Sequence, residues 1–237
     1  MTPEPAIALR TFENRQMLAE TLAAEIAEAL RAEIADGGAA TLAVSGGSTP
    51  KLFFQTLSRR QLDWSSVTVT LVDERWVPET DDRSNARLVR ENLLQNEAAH
   101  APFVPLFTDS GSPEGGLPEV QERIADLSGP LTVAILGMGD DGHTASFFPQ
   151  GDRLEDAIDP TGKALALPMR APAAPEPRIT LTLPMLIAAR TLVLHVEGEG
   201  KKTVLDKALL AGDDPREMPI RAVIQHAQRP LDVVWAP

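Results

Sequence analysis

Residues 131–149 read LTVAILGMGDDGHTASFFP, and how this stretch is read decides the fold. LTVAIL is an apolar run without polar alternation, the pattern of a parallel strand buried on both faces. Gly137, Gly139 and Gly142 then spell the G-x-G-x-x-G of a dinucleotide-binding turn. The context argues against that use. Asp140 and Asp141 put two carboxylates where a pyrophosphate would approach, and Pro149 limits a helix starting here to about two turns. The next strand candidate, KALALP, ends in Pro168, not in the Asp or Glu that would hold a ribose. The glycines therefore shape a loop for another purpose, and Asp140, Asp141 and His143 are its reactive content.

Outward from this stretch, strands and helices alternate. AIALRTF reads as a strand, and residues 14–35 as an amphipathic helix with Leu18, Leu22, Ile26, Leu30 and Ile34 on one face, ended by Gly37-Gly38. ATLAVS, VTVTLVD and FVPLF read as strands, and KLFFQTLSRR, ARLVRENLLQN and LPEVQERIADL as the helices between them. After the loop come the strands KALALPM, RITLTLP, RTLVLHV and LDVVWA and the helices GKKTVLDKALL and IRAVIQHA. ERWVPETDDRSN and RAPAAPEPR read as loops. The expectation is one α/β domain over residues 1–237, with an open, mainly parallel sheet and helices on both faces. In such sheets ligands collect beyond the carboxyl ends of the strands.

Composition narrows the function. A formal charge of -12 over 237 residues disfavours nucleic acid and anionic membranes as partners, while leaving room for an anionic small molecule in one basic pocket. Zero cysteines exclude disulfides and thiolate chemistry and suit a cytoplasmic protein. MTPEPAIALR lacks the apolar run of a signal peptide, and no segment approaches the roughly 18 apolar residues of a membrane span.

Several stretches carry chemistry. Ser45-Gly46-Gly47-Ser48-Thr49-Pro50 leaves a strand for a helix, so converging amides and hydroxyls could cradle a phosphate; an ordinary capped turn explains it too. Asp73, Glu74 and Arg75 follow a buried strand, and Arg83, Ser84 and Asn85 precede a helix; these are pocket charges, or solvated loop charges with Ser84 or Asn85 as cap. His143 is the side chain best suited to move protons near neutrality, and Asp141 could orient it; a loop histidine is the plainer alternative. His195 reads as a structural histidine, His100 and His226 as surface residues. Arg178 opens a strand, and Lys201 stands at a helix start where a cation opposes the dipole unless an anion is near.

In order, SGGSTP, VDERWVPETDDRSN, LGMGDDGHTASFFP, PRITLTLP and GEGKK resemble the 6-phosphogluconolactonases nearly end to end. The resemblance implies hydrolysis of 6-phospho-D-glucono-1,5-lactone in the pentose phosphate pathway and the Rossmann-like fold shared with the glucosamine-6-phosphate deaminases. It implies that His143 is the base, that Asp73 and Asp141 are site carboxylates, and that Gly46, Gly47, Ser48, Thr49, Arg178 and Lys201 cradle the phosphate, with Arg75 and Arg83 as substrate contacts. No cofactor or metal is implied. In the deaminases a Glu precedes the proline of the D-G-H segment, whereas this chain has Phe148, which favours the lactonase. A deaminase, or a sugar-phosphate sensor without turnover, is the alternative.

Overall fold

The central sheet follows from strands that are apolar on both sides. In the computed structural model, which describes residues 7–127, 129–210 and 214–237, ten strands form: β1 (Ile7–Thr11), β2 (Ala40–Val44), β3 (Val67–Leu71), β4 (Asp73–Arg75), β5 (Phe103–Val104), β6 (Val133–Leu136), β7 (Ala166–Ala171), β8 (Ala174–Leu181), β9 (Thr191–Glu197) and β10 (Leu231–Ala236). Eight α-helices connect them: α1 (Arg15–Gly37), α2 (Lys51–Leu57), α3 (Asn85–Asn92), α4 (Pro113–Ala125), α5 (Leu154–Ala157), α6 (Leu183–Ile187), α7 (Glu199–Leu209) and α8 (Ile220–His226). Seven strands pair in the order β1-β10-β9-β6-β2-β3-β5, every neighbour parallel. All residues of β2 and β6 are buried, and because successive side chains point to opposite faces, both faces of the sheet are covered.

The helices form where caps and apolar stripes agree. Asn14 accepts from the Met17 amide at 2.9 Å to start α1, and Gly38, with φ 77°, closes it. Leu18, Leu22, Ile26 and Leu30 are its buried stripe. Ser112 caps α4 through the Gly115 amide with Pro113 in the first turn, so this helix begins before the expected LPEVQERIADL: a good cap outweighs the adjoining glycines.

Two expectations are corrected. RAPAAPEPR is mostly not a loop, since β7 and β8 turn back on each other there as an antiparallel hairpin, and ERWVPETDDRSN begins as the short strand β4 that pairs with β8. These three strands form a second, antiparallel sheet. Pro175 and Pro177 fit within β8 because β4 pairs with its later part, Arg178 to Thr180, and the bond Pro177 makes toward that side uses its carbonyl, which accepts from the Trp76 amide at 2.8 Å. Thr144–Phe147 is a tight bridge-closed turn with no helix. Ala6 of the first expected strand, and MTPEP before it, lie outside the described residues. Among the described residues no helix is long and apolar enough to cross a membrane.

Candidate active site

The loops after β2, β6 and β9 open on one end of the parallel sheet, and the antiparallel sheet stands beside them. A cavity of about 320 Å³ lies between, and all eleven residues expected at the site bear on it except Asp141 and Arg83.

One wall is formed by the loop after β6, which carries His143. The loop after β6 folds back, the Gly139 amide donating to the His143 carbonyl at 2.9 Å and the Gly142 amide to the Gly139 carbonyl at 3.0 Å. A Cβ on Gly139 would lie 2.1 Å from Cε1 of His143, so only glycine lets the ring lie over the loop. That close approach is the use of the central glycine of the dinucleotide-like pattern. His143 Nδ1 is 2.5 Å from Asp141 Oδ1, which also accepts from the His143 amide at 3.1 Å. A carboxylate only accepts, so Nδ1 bears the proton and Nε2 keeps its lone pair. Burial raises the Asp141 carboxyl, but the bonds from His143 outweigh it and leave its pKa below the ordinary value. Asp141 itself does not line the cavity; its carboxylate holds the His143 ring through Nδ1. Phe148 packs on the other side of the ring, centroids 4.4 Å apart.

A second wall is made by the loop after β2 and by Lys201. Gly46 passes so close to Asn85 that a Cβ there would lie 1.8 Å from Asn85 Oδ1. Among the described residues, nothing accepts from the amides of Gly46, Gly47, Ser48 or Thr49. Neither Ser48 nor Thr49 caps α2, whose N-cap is Pro50 without a side-chain bond, which removes the capped-turn explanation of these hydroxyls. Lys201 Nζ instead reaches Thr49 Oγ1 at 3.4 Å.

The antiparallel sheet supplies the third side. Asp73 lines the cavity and accepts from the Ser146 hydroxyl at 2.5 Å. Arg75 and Arg178 are direct cross-strand partners and both line the cavity. Opposed like charges destabilise a ladder unless an anion answers them. Arg178 is 8% exposed, its Nε has no partner, and its guanidinium lies 5.6 Å above the Phe148 ring. Burial lowers its pKa; Asp73 acts against this and Arg75 adds to it. Arg83 does not line the cavity with them: its guanidinium forks onto Asp81 at 3.0–3.1 Å and also pairs with Glu176 on the strand that carries Arg178.

The profile of a family described as glucosamine-6-phosphate isomerases/6-phosphogluconolactonase matches residues 13–235. The chain belongs to that family. It is 55% identical to a protein of Rhizobium meliloti strain 1021 named 6-phosphogluconolactonase, over 97% of this chain and 98% of the relative. It is 44% identical to one of the same name from Pseudomonas aeruginosa, over 98% and 95%. The crystal structure of a 6-phosphogluconolactonase from Shewanella baltica OS155 superposes with a TM-score of 0.94 at 42% identity, covering 98% of each chain.

Within this family fold, the structure brings to the cavity or its support three residues to which the sequence assigned no definite place there. Asn85 is not the cap of α3, which is Ser84; its amide donates to the Asp73 carbonyl at 2.9 Å and its side chain lines the cavity. Glu74 is wholly buried and accepts from the amides of Arg75, Asn85 and Ala86 at 2.7–2.8 Å, fixing the start of α3 to β4. Burial raises its pKa to about 7 against those three bonds. His195 lines the cavity floor, where the sequence suggested only a structural role. Its position near the carboxyl end of a strand was the available signal.

Proposed function

We infer that this protein hydrolyses 6-phospho-D-glucono-1,5-lactone to 6-phospho-D-gluconate, with His143 as general base. The observation that carries this reading is the placement of a carboxylate-oriented imidazole and a cationic, amide-rich wall on one small cavity. The phosphate fits the side formed by Gly46 to Thr49, Lys201 and Arg178, which directs the lactone ring toward His143. Nε2 takes a proton from water, and the hydroxide formed adds to the lactone carbonyl. As the tetrahedral intermediate collapses, the bond from carbonyl carbon to ring oxygen breaks and the imidazolium protonates that oxygen. The new carboxylic acid then releases one proton to solvent. A lactone is an activated ester, so general base catalysis of about 10² to 10⁴, with orientation by the bound phosphate, suffices.

Phe148 supports the lactonase over the deaminase, because an aromatic ring occupies the place beside His143 where ring opening of an amino sugar would use a second acid. We read residues 1–237 as one domain acting on a small sugar phosphate, and the absence of cysteine is in keeping with a cytoplasmic location. The decisive assay follows acid release from freshly prepared lactone, with ammonia release from glucosamine 6-phosphate as the competing measurement.

A further inference from the structure

His195 is 2% exposed, yet it forms part of the cavity wall together with Thr49 and Lys201. Its Nε2 lies 3.0 Å from Glu197 Oε1, so that nitrogen carries a proton and the carboxylate accepts it. Its Nδ1 is buried and has no hydrogen-bond partner. Buried polar atoms are nearly always satisfied, so an unpartnered ring nitrogen at the floor of a binding cavity calls for a group that arrives from outside. Glu197 is itself nearly covered and is answered by Arg15 at 3.4 Å.

We propose that His195 is a proton-linked phosphate-binding residue: with substrate bound it is an imidazolium held between the Glu197 carboxylate and the substrate's phosphate. The inference rests on the lactonase reading for the phosphate's place in the cavity. An imidazole with one negative group on Nε2 gains a second when a phosphate dianion reaches Nδ1, and two flanking anions favour the charged ring. The neutral ring would offer the phosphate only a lone pair, so binding draws a proton from solvent. The charges facing this site are Glu197 on the same strand, Arg15 from α1 and Lys201 from α7. Helix α2 presents the uncharged Phe53 ring, 6.1 Å from the imidazole, and the turn before it the Thr49 hydroxyl. Across the cavity stand Asp73 and His143 with Arg75 and Arg178. Lys201 and Arg178 supply fixed positive charge, and the proton on His195 adds a further cationic donor to the cavity wall.

Calorimetry of 6-phosphogluconate binding at pH about 8, in two buffers of different ionisation enthalpy, tests this. An ordinary imidazole is largely neutral near that pH, so a proton that binding adds to the ring is read as uptake from the buffer. Wild type takes up close to one proton per site, and inorganic phosphate does the same. His195→Asn, whose amide replaces the donor at Nδ1 without its charge, still binds, about ten- to a hundredfold more weakly, and takes up close to none. Imidazole nitrogen shifts of His195 in wild type, recorded with and without inorganic phosphate, report the same proton without a variant. A His195 signal that stays neutral with phosphate bound, or equal uptake by wild type and His195→Asn, overturns the inference. Turnover of the lactone measured on the same wild-type preparation separates the two ideas: turnover with a neutral His195 overturns the inference alone, whereas no turnover overturns the lactonase reading.

Discussion

Arg75 and Arg178 stand directly opposite each other on β4 and β8, two cations facing one cavity from adjacent strands. Glu176 meets Arg178 at 3.7 Å from the same strand, and an anionic ligand in the cavity would answer both cations. If Arg178 and Lys201 hold the substrate's phosphate, each contributes charge-assisted bonds of about 1.5 to 3 kcal/mol. Removing either then costs roughly ten- to a hundredfold in kcat/KM on the phosphorylated lactone, at about 1.36 kcal/mol per factor of ten. On glucono-1,5-lactone, which has no phosphate, the same variants match the already poor wild type. Equal losses on both lactones would assign these residues to the fold or the chemistry instead.

The Asp141–His143 dyad makes a separate prediction. Asp141→Asn keeps the shape but can offer its NH₂ to Nδ1 and so favour the wrong tautomer, leaving Nε2 protonated; kcat falls by roughly 10² or more with product affinity little changed. Combining it with His143→Ala adds almost nothing further, because the two act as one unit. Independent, multiplying losses in single-turnover rates would show that Asp141 has its own role.

Gly139→Ala tests the use of the glycine pattern. A Cβ would press on His143 at 2.1 Å and on Asp141 Oδ1 at 2.9 Å, so the dyad must separate. The expected result is a kcat at least tenfold lower with 6-phosphogluconate affinity preserved. Unchanged kcat would mean that the ring has room the fold does not show.

How much of this was legible in the chain depends on which force fixed each part. LTVAIL and ATLAV announced themselves because buried parallel strands must be apolar on both sides, and the dyad residues sit two apart in sequence, so their partnership was readable. RAPAAPEPR was not, because three prolines and three alanines carry no period-two signal, and only the pairing of β8 with β4 and β7 reveals a strand. The same pairing sets Arg75 opposite Arg178, a relation between positions far apart in the chain. Arg83 could not be distinguished from Arg75 by sequence, since the ion pair to Glu176 that diverts it is likewise tertiary.

Glu74 gives a pH signature. Its folded pKa, raised to about 7 by burial, exceeds the ordinary carboxyl value of 4.5. Below both values the proton is bound in either state and stability does not change with pH. Between them the folded chain holds a proton that the unfolded chain has released, so stability falls as pH rises, by about 3 kcal/mol in total at about 1.36 kcal/mol per unit. Denaturant melts from pH 5 to 7.5 therefore show a decline in wild type that is flatter in Glu74→Gln. Parallel curves for the two proteins would contradict it.

A metal requirement is also testable. Among the described residues no three His, Cys, Asp or Glu side chains come together as a metal site. The account expects activity to survive dialysis against EDTA, and loss on chelation with recovery on adding zinc would contradict the proposed route of proton transfer.

The central claim is tested most directly by the rate of acid release from freshly prepared 6-phospho-D-glucono-1,5-lactone, recorded against the spontaneous rate for wild type and His143→Ala at equal concentration. The account predicts release well above background for wild type and a kcat lower by roughly 10² or more for the variant, with 6-phosphogluconate still bound. Wild-type release no faster than background at micromolar protein would contradict the hydrolase, and near-normal turnover by His143→Ala would remove its base.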